Sequence, residues 1–419
     1  MKKRSENGSI AIFVLITLLF YMGFLLVLYS ANMNKLQASA EKLKSVKAIY
    51  EVNINNKDEV YHRKMLQSDT AEPTINNLPS KVITNITAIS DEYATYGTIG
   101  GSTEYVVQGQ KFSSLQALVN YLETNNHYGK MDVEVNAYGN NGKVTRETKN
   151  IEFIKGIKVE NEAQLKTALE TSANSYIQVA ADIACTQVKG MASASHTLDV
   201  NNHTISYTEQ DDDFTFLTIG SGSTLTILDS SSEKNGKLLG RISEDDTQNS
   251  GADRNNSIYT IENQGTLIIQ GGTVAVDYLQ DLDNVRDSIH VRGTATAIKN
   301  TGTVTVDGGA IVATIETRAI SYGATRNSEA TGVGIENTGT INLTSGSISV
   351  TADAYMDRQG IIFGETKAYA YGVNNYSGTV NKDDSFTITV AATAHEKDKA
   401  NTKTTTYKET QDQAEIKNN

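Results

Sequence analysis

The residues best placed to do chemistry lie in an acidic stretch beyond the midpoint of the chain. Asp281-Leu282-Asp283 opens like a calcium loop, and Asp287 follows four residues on. Carboxylates spaced in this way can converge on one hard cation. Val285 stands where a helix-loop-helix calcium site needs a ligand, and no glycine supplies its sharp turn. Asp281, Asp283 and Asp287 are therefore candidates for loose Ca²⁺ binding, weighed against a solvated acidic loop. His290 and Arg292 form the one basic pair near these acids. Two further acidic runs, 211–213 and 244–246, read as charged surface between strands, with loose Ca²⁺ binding as the alternative. The histidines, His62, His127, His196, His203, His290 and His395, share no metal-ligand spacing. Cys185 is the sole cysteine, so no disulfide forms within the chain. It falls two residues after Ile183, in strand alternation, which predicts an inert core thiol. No cofactor is expected.

The elements that would carry these residues are repeats. Thr260-Ile261-Glu262-Asn263-Gln264-Gly265-Thr266-Leu267 aligns without gaps with Ala297-Ile298-Lys299-Asn300-Thr301-Gly302-Thr303-Val304. Gly334-Ile335-Glu336-Asn337-Thr338-Gly339-Thr340-Ile341 aligns with both. The step from Ile261 to Ile298 is 37 residues, as is the step from Ile298 to Ile335. A degenerate copy follows at Val373, Asn375 and Gly378, and a looser one precedes at 223–227. Each copy alternates with period 2, and no helical pattern lies between copies. One such unit cannot bury its apolar side, whereas stacked units bury a continuous column. The expected fold is mostly β, a parallel β-solenoid over 160–394. One three-strand coil would take about 21 residues (294–314), by the usual strand and turn lengths. The remaining residues, 278–293 and 315–330, are expected as loops or part of a second coil. Asn263, Asn300, Asn337 and Asn375 then recur at a chain corner. Asn accepts the left-handed turn conformation and can bond to its copy in the next coil. The row is expected to be a structural ladder.

The entry to the repeats adds a family resemblance. An amphipathic helix over 162–171 carries Leu165, Ala168 and Leu169 on one side. Strand-like 176–183 follows, then His196-Thr197-Leu198-Asp199-Val200-Asn201-Asn202-His203-Thr204-Ile205. This order resembles bacterial right-handed parallel β-helix proteins of the pectin-lyase-like kind. The resemblance implies a right-handed coil and a helix that caps its first edge. It does not settle function, because this fold hosts lyases, glycosidases and adhesins. The G-H-G and R-I-K segments of polygalacturonase-type enzymes are missing, as is N-T-D.

The other end of the chain reads differently. Residues 1–8 form a basic leader with Lys2, Lys3 and Arg4, and no charge occurs from Gly8 to Asn34. The apolar run within 9–30 is long enough to span a bilayer of about 30 Å. The positive-inside rule keeps the leader cytoplasmic and places the body outside. A helical stalk over 31–66, a linker over 67–80 that holds both prolines, and a small α+β module over 81–159 follow. In the module, Ser113 and Gln116 could cap a helix striped by Leu115, Leu118, Val119 and Leu122. The leader and apolar helix also resemble a type IV prepilin, which implies cleavage between Gly8 and Ser9. Phe13 departs from that pattern, since typical major pilins carry Glu at the fifth mature position. Prepilin-like processing and a plain signal anchor both stay open.

Charge narrows the function classes. The chain of 419 residues has 37 Lys plus Arg and 49 Asp plus Glu. Residues 1–65 hold 10 basic and 5 acidic groups, so the rest holds 27 and 44, a net −17. An acidic body argues against nucleic acid as partner. The expectation is a single-pass bacterial cell-membrane protein that acts as an adhesin or pilin-like display protein. Its partners would be the membrane through 9–30, a surface glycan or protein, and pilus subunits. It is not expected to be an enzyme. The alternative is a polysaccharide lyase or glycoside hydrolase of the β-helix class. Residues 395–419 are expected to form a polar tail.

Overall fold

The computed structural model describes residues 7–67, 74–75, 78–79, 81–84, 102–139, 144–209, 213–246, 254–285, 289–321, 326–358, 365–398 and 411–419. Most of the basic leader, most of the 67–80 segment and most of the 139–142 turn lie outside them.

The chain divides into two compact units, 1–69 with 85–114 and 132–149, and 70–84 with 115–131 and 150–419. In the first, one continuous helix, α1, runs Asn7–Gln67 through both the apolar run and the expected stalk. Within it Ile12–Val46 is long and apolar enough to cross a membrane. The same unit holds Ser102–Val107, which pairs antiparallel with Gln110–Phe112 and with Gly129–Tyr138. Gln108 and Gly109 make the intervening hairpin turn, both at positive φ (48° and 80°), which matches the right-handed twist of the flanking strands. In the second unit, α2 (Leu115–Thr124) buries Leu118, Val119 and Leu122, as the sequence stripe requires.

The rest of the second unit is a parallel β-solenoid. Strands Ser175–Val179, Ser195–Asp199, Thr224–Leu228 and Thr266–Ile269 stack in register, followed by the first parts of Thr303–Ser321 and Thr340–Arg358 and by Thr379–Lys382. They form stack one. Stack two runs from Ile183–Cys185 through Thr204–Glu209, Lys237–Asp246, Thr273–Val285 and the later parts of the two long strands to Thr387–Asp398. Stack three is a 7-stranded sheet from Lys189–Gly190 to Gln411–Asn418. Each coil gives one strand to each stack. Inward side chains form straight apolar columns. One is Leu225, Leu267, Val304, Ile341 and Val380; another is Ile261, Ile298, Ile335, Val373 and Ile416. Most of these are fully buried, and each contributes about 1.5–3 kcal/mol of transfer free energy.

The expected coil length is corrected by the inner packing. The full 37-residue repeat is one coil, and 278–293 and 315–330 are largely strand: Thr273–Val285, Ile289–Asn300, Thr303–Ser321 and Arg326–Asn337. The reason is residue size. Stack three points Ala295, Ala297, Ala330, Ala368 and Ala370 inward, all fully buried. Gly334 stands so close to stack two that a Cβ there would lie 2.5 Å from Ile348 Cγ2. Small residues against large ones let the two sheets run on together as a double layer. Its far end closes on a second core of Leu282, Val291, Ala319 and Met356. The solenoid also runs past 394. Strands Thr387–Asp398 and Gln411–Asn418 occupy the region expected as a polar tail.

The first coil is closed by α3 (Glu162–Leu169). Asn161 caps it by accepting from Gln164 N, and Leu165, Ala168 and Leu169 enter the solenoid core. Glu162 fastens the helix down. It accepts from Thr186 N, Thr186 Oγ1, Gln187 N and Lys189 Nζ, and the Lys189 bond foremost holds its carboxyl down at about 2.

Candidate functional site: three outward faces

A residue that points outward in one strand points outward in the next, so each stack displays columns of side chains on its outer face. Stack one shows two uncharged columns. The first is Ser195, Thr224, Thr266, Thr303, Thr340 and Thr379; the second is Thr197, Thr226, Ile268, Thr305, Asn342 and Asn381. In the second column Asn381 Nδ2 donates to Asn342 Oδ1 at 2.9 Å, and Asn342 Nδ2 to Thr305 Oγ1 at 3.4 Å.

Stack two displays charge. Asp281, Arg318, Tyr355 and His395 share one column, and Leu279, Glu316, Asp353 and Thr393 the next. Arg318 Nη1 donates to Asp281 Oδ2 at 2.9 Å, and its guanidinium lies over the Tyr355 ring, 5.6 Å from the centroid. Burial raises the Glu316 carboxyl, with repulsion from Asp353 and Asp281 adding to it and Arg318 opposing. Burial likewise raises Asp353, against the attraction of His395.

Stack three alternates sign along Glu262, Lys299 and Glu336, and the column continues through the neutral Asn374 to Lys417. Lys299 lies 3.7 Å from Glu262 and over the Tyr259 ring, 5.0 Å from its centroid. Burial lifts the Tyr259 hydroxyl to about 12 and raises Glu336.

Asp281, the first of the three acidic candidates, sits in strand Thr273–Val285 and is committed to Arg318, not left in a solvated loop. Asp283 belongs to the same strand, and Asp287 lies outside the described residues. Among the described residues no group of three or more His, Cys, Asp or Glu could hold a metal ion. Arg292 approaches Glu329 of the next coil at 3.8 Å. Gly8 and Ser9 begin α1, in its first turn. Cys185 is buried, and burial pushes its thiol up to about 11.

The asparagine row forms a continuous ladder. Asn263 Nδ2 donates to Asn300 Oδ1, Asn300 to Asn337 and Asn337 to Asn375, each at 2.8 Å. Sequence periodicity misses the next member, Asn418, which accepts from Asn375 at 3.0 Å. Its signal was there, an Ile416-Lys417-Asn418 triplet like Ile298-Lys299-Asn300, but it lies 43 residues on instead of 37 or 38. Asn263, Asn300 and Asn337 are essentially solvent-free, so the row is inside the wall and not on a face.

Comparison with known protein families, with curated proteins and with solved structures finds no match. The faces themselves carry the functional argument.

Proposed function

We propose that the chain is a membrane-anchored bacterial surface protein that works by attachment or surface display, with the solenoid outside the cell. One observation carries this reading: equivalent outward side chains stand in straight columns on a rigid stack. A weak contact made by one coil is then offered again by the next, and repeated contacts on one frame add up to firm attachment. The partner would be a glycan or protein of another surface, or sibling subunits of a pilus. The positive-inside rule, applied to Lys2, Lys3 and Arg4, supports an outward body. External protease on intact cells should degrade residues 66–419, and cells displaying the chain should attach to a surface that cells without it ignore. Protection of the body with the wall removed would defeat the orientation. Mass determination of the mature N-terminus separates an intact anchor from a prepilin-like product that begins at Ser9.

A second reading, a polysaccharide hydrolase or lyase, draws on the outer face of stack two. Glu316 and Asp353 are register partners on adjacent strands, and such strands lie about 4.8 Å apart. Retaining glycosidases hold their two carboxyls about 5–5.5 Å apart, with one kept protonated. Arg318 stands in the neighbouring column. Incubation with uronic-acid and neutral polymers tests it: new reducing or unsaturated ends that disappear with Glu316→Gln would establish hydrolysis or elimination, and no new ends would remove it.

A further inference from the structure

We propose that the outer face of stack one is the binding face, and that its ligand is a neutral, extended, β-linked polysaccharide lying along the solenoid axis. This rests on the attachment reading above and names its site and ligand class.

Three observations point the same way. First, the face is an ordered lattice. In-register strands repeat every ~4.8 Å along the axis, and the two columns are two residues, roughly 6.6 Å, apart across it. The first column is Ser or Thr at every one of its six positions, from Ser195 to Thr379. The side chains of Thr224, Thr266, Thr303 and Thr340 are part-exposed and Thr379 is exposed. An extended β-linked sugar chain advances by close to one such rung per sugar, so successive sugars meet the same hydroxyl in successive coils. Threonine also offers a methyl group for the apolar side of the ring, and Asn342 and Asn381 add amide donors and acceptors.

Second, the face is neutral where its neighbours are not. Strand propensity alone accounts for threonine at any one outward position. It does not account for the distribution. The same coils place Arg241, Asp277, Glu316, Arg318 and Asp353 outward on stack two, and Glu262, Lys299, Glu329 and Glu336 outward on stack three. The two columns of stack one carry none from Ser195 to Asn381. Asp307 borders them at the corner, where it accepts from Thr344 Oγ1 at 3.1 Å and Ser345 Oγ at 3.2 Å.

Third, residues 66–419 carry a net −17. An anionic polymer would meet that field along its whole length, whereas a neutral one would not. Charge thus selects neutral chains over uronic-acid polymers.

The test uses the full chain in detergent micelles with microcrystalline cellulose, chitin and polygalacturonate as probes. The wild-type chain should be retained by at least one neutral solid and not by polygalacturonate. Thr303→Lys with Thr340→Lys should weaken retention tenfold or more. The same change on stack three, Thr294→Lys with Thr331→Lys, should alter it less than twofold, because it adds equal charge to the same two coils on another face. Thr303→Val with Thr340→Val keeps the branched shape and removes only the hydroxyls; it should weaken retention several-fold with an unchanged melting temperature. Equal loss from both lysine pairs, or no loss from either, would overturn the assignment of the face. Preference for polygalacturonate would overturn the ligand class. Cells that attach to a surface while the chain ignores both neutral solids would sink this inference and leave the attachment reading standing; attachment to nothing at all would sink both.

Discussion

The first coils of the solenoid and the later ones solve the same corner problem by different means. From Ser175 to its register partner His196 is 21 residues, and from His196 to Leu225 is 29. From Leu267 to Val304 and from Val304 to Ile341 the step is 37 each time. In the early coils, single aspartates hold the corner between stacks one and two. Asp199, fully buried, accepts from Tyr176 Oη at 2.8 Å, Asn201 N at 3.1 Å, Ser230 N at 2.9 Å and Ser230 Oγ at 2.6 Å. Asp229 does the same for Asn202 N, Ser231 N and Gly236 N at 3.1, 3.0 and 2.7 Å. In the later coils the carboxylate at that corner is exposed instead of buried: Asp307 accepts from Thr344 Oγ1 and Ser345 Oγ of the next coil. These coils turn there on glycine pairs, Gly271-Gly272 and Gly308-Gly309, with Gly272, Gly308 and Gly309 at positive φ. They place their polar side chain at the other corner, the asparagine ladder. Asn263 begins it, opposite Ile219 in the coil before. An early corner is a custom network of local bonds; a late corner is one solution used again. The lesson is that repetition in sequence marks repetition of a physical device, and the fold extends beyond the repeat wherever the device is replaced.

This contrast can be broken at its strongest points first. Asp199→Ala removes the acceptor from the buried Tyr176 Oη, from the half-buried Asn201 N, and from the N and Oγ of Ser230, which is exposed. Each unpaired buried donor costs about 1–3 kcal/mol, so with two of the donors shielded from water unfolding should shift by about 2–4 kcal/mol, read by thermal or denaturant unfolding of the full chain in micelles. A shift below ~1 kcal/mol would mean that the early corner tolerates loss of its custom network.

Gly302→Ala tests the late corner. A Cβ there would meet Gly265 O at 2.1 Å, and the coil below cannot move without carrying its own ladder with it. Overpacking of this kind costs about 1–3 kcal/mol. Asn300→Ala should cost less per coil, about 1–2 kcal/mol for two lost bonds: Asn263 Nδ2 loses one acceptor and keeps Thr303 O, and Asn337 Oδ1 loses one donor and keeps Gly339 N. Asn300→Asp should be worse than Ala, because a buried carboxylate cannot donate to Asn337 and carries a desolvation cost. If Asp proved as good as Asn, the ladder would not be a hydrogen-bonded row.

The smallest effect is in pH. His196 sits in the first coils, 2 % exposed, with Nδ1 2.6 Å from Ser175 Oγ. Burial lowers its pKa below the ordinary 6.5, against the backbone carbonyls of Leu169 and Thr171. The unfolded chain therefore takes up a proton before the folded one does, and stability falls as pH drops below about 6.5. His196→Gln should flatten that part of the pH–stability curve. An unchanged slope would place the acid sensitivity elsewhere, for instance at Glu162, whose lowered carboxyl loses its contribution only as pH falls from the ordinary 4.5 toward about 2.

Much of the candidate face was readable in the sequence. The period-2 alternation of Thr303-Val304-Thr305-Val306 assigns Thr303 and Thr305 to one side and the valines to the other, which the register reproduces. What alternation omits is which strand lies beside which. The threonines became a face only when Thr266, Thr303, Thr340 and Thr379 were brought to a common height. The charged residues of stacks two and three were equally hidden as a contrast, because each lies far along the chain from the threonines it differs from.

By itself, then, the sequence determined the apolar helix, the solenoid class, the asparagine row and the identity of the capping helix. These follow from local rules: an uncharged stretch of membrane length, a side-chain period of two, and a residue that tolerates a corner. Tertiary structure decided the size of the coil. The segments 278–293 and 315–330 carry polar and charged residues that read as loops, yet the alanines and glycines of stack three allow its sheet to lie against stack two and hold them as strands. It likewise decided the fate of Asp281, since the partner that binds it, Arg318, is 37 residues away and one coil distant. Close packing across a sheet interface depends on the pairing of sizes between segments far apart in sequence, and no single segment contains that pairing.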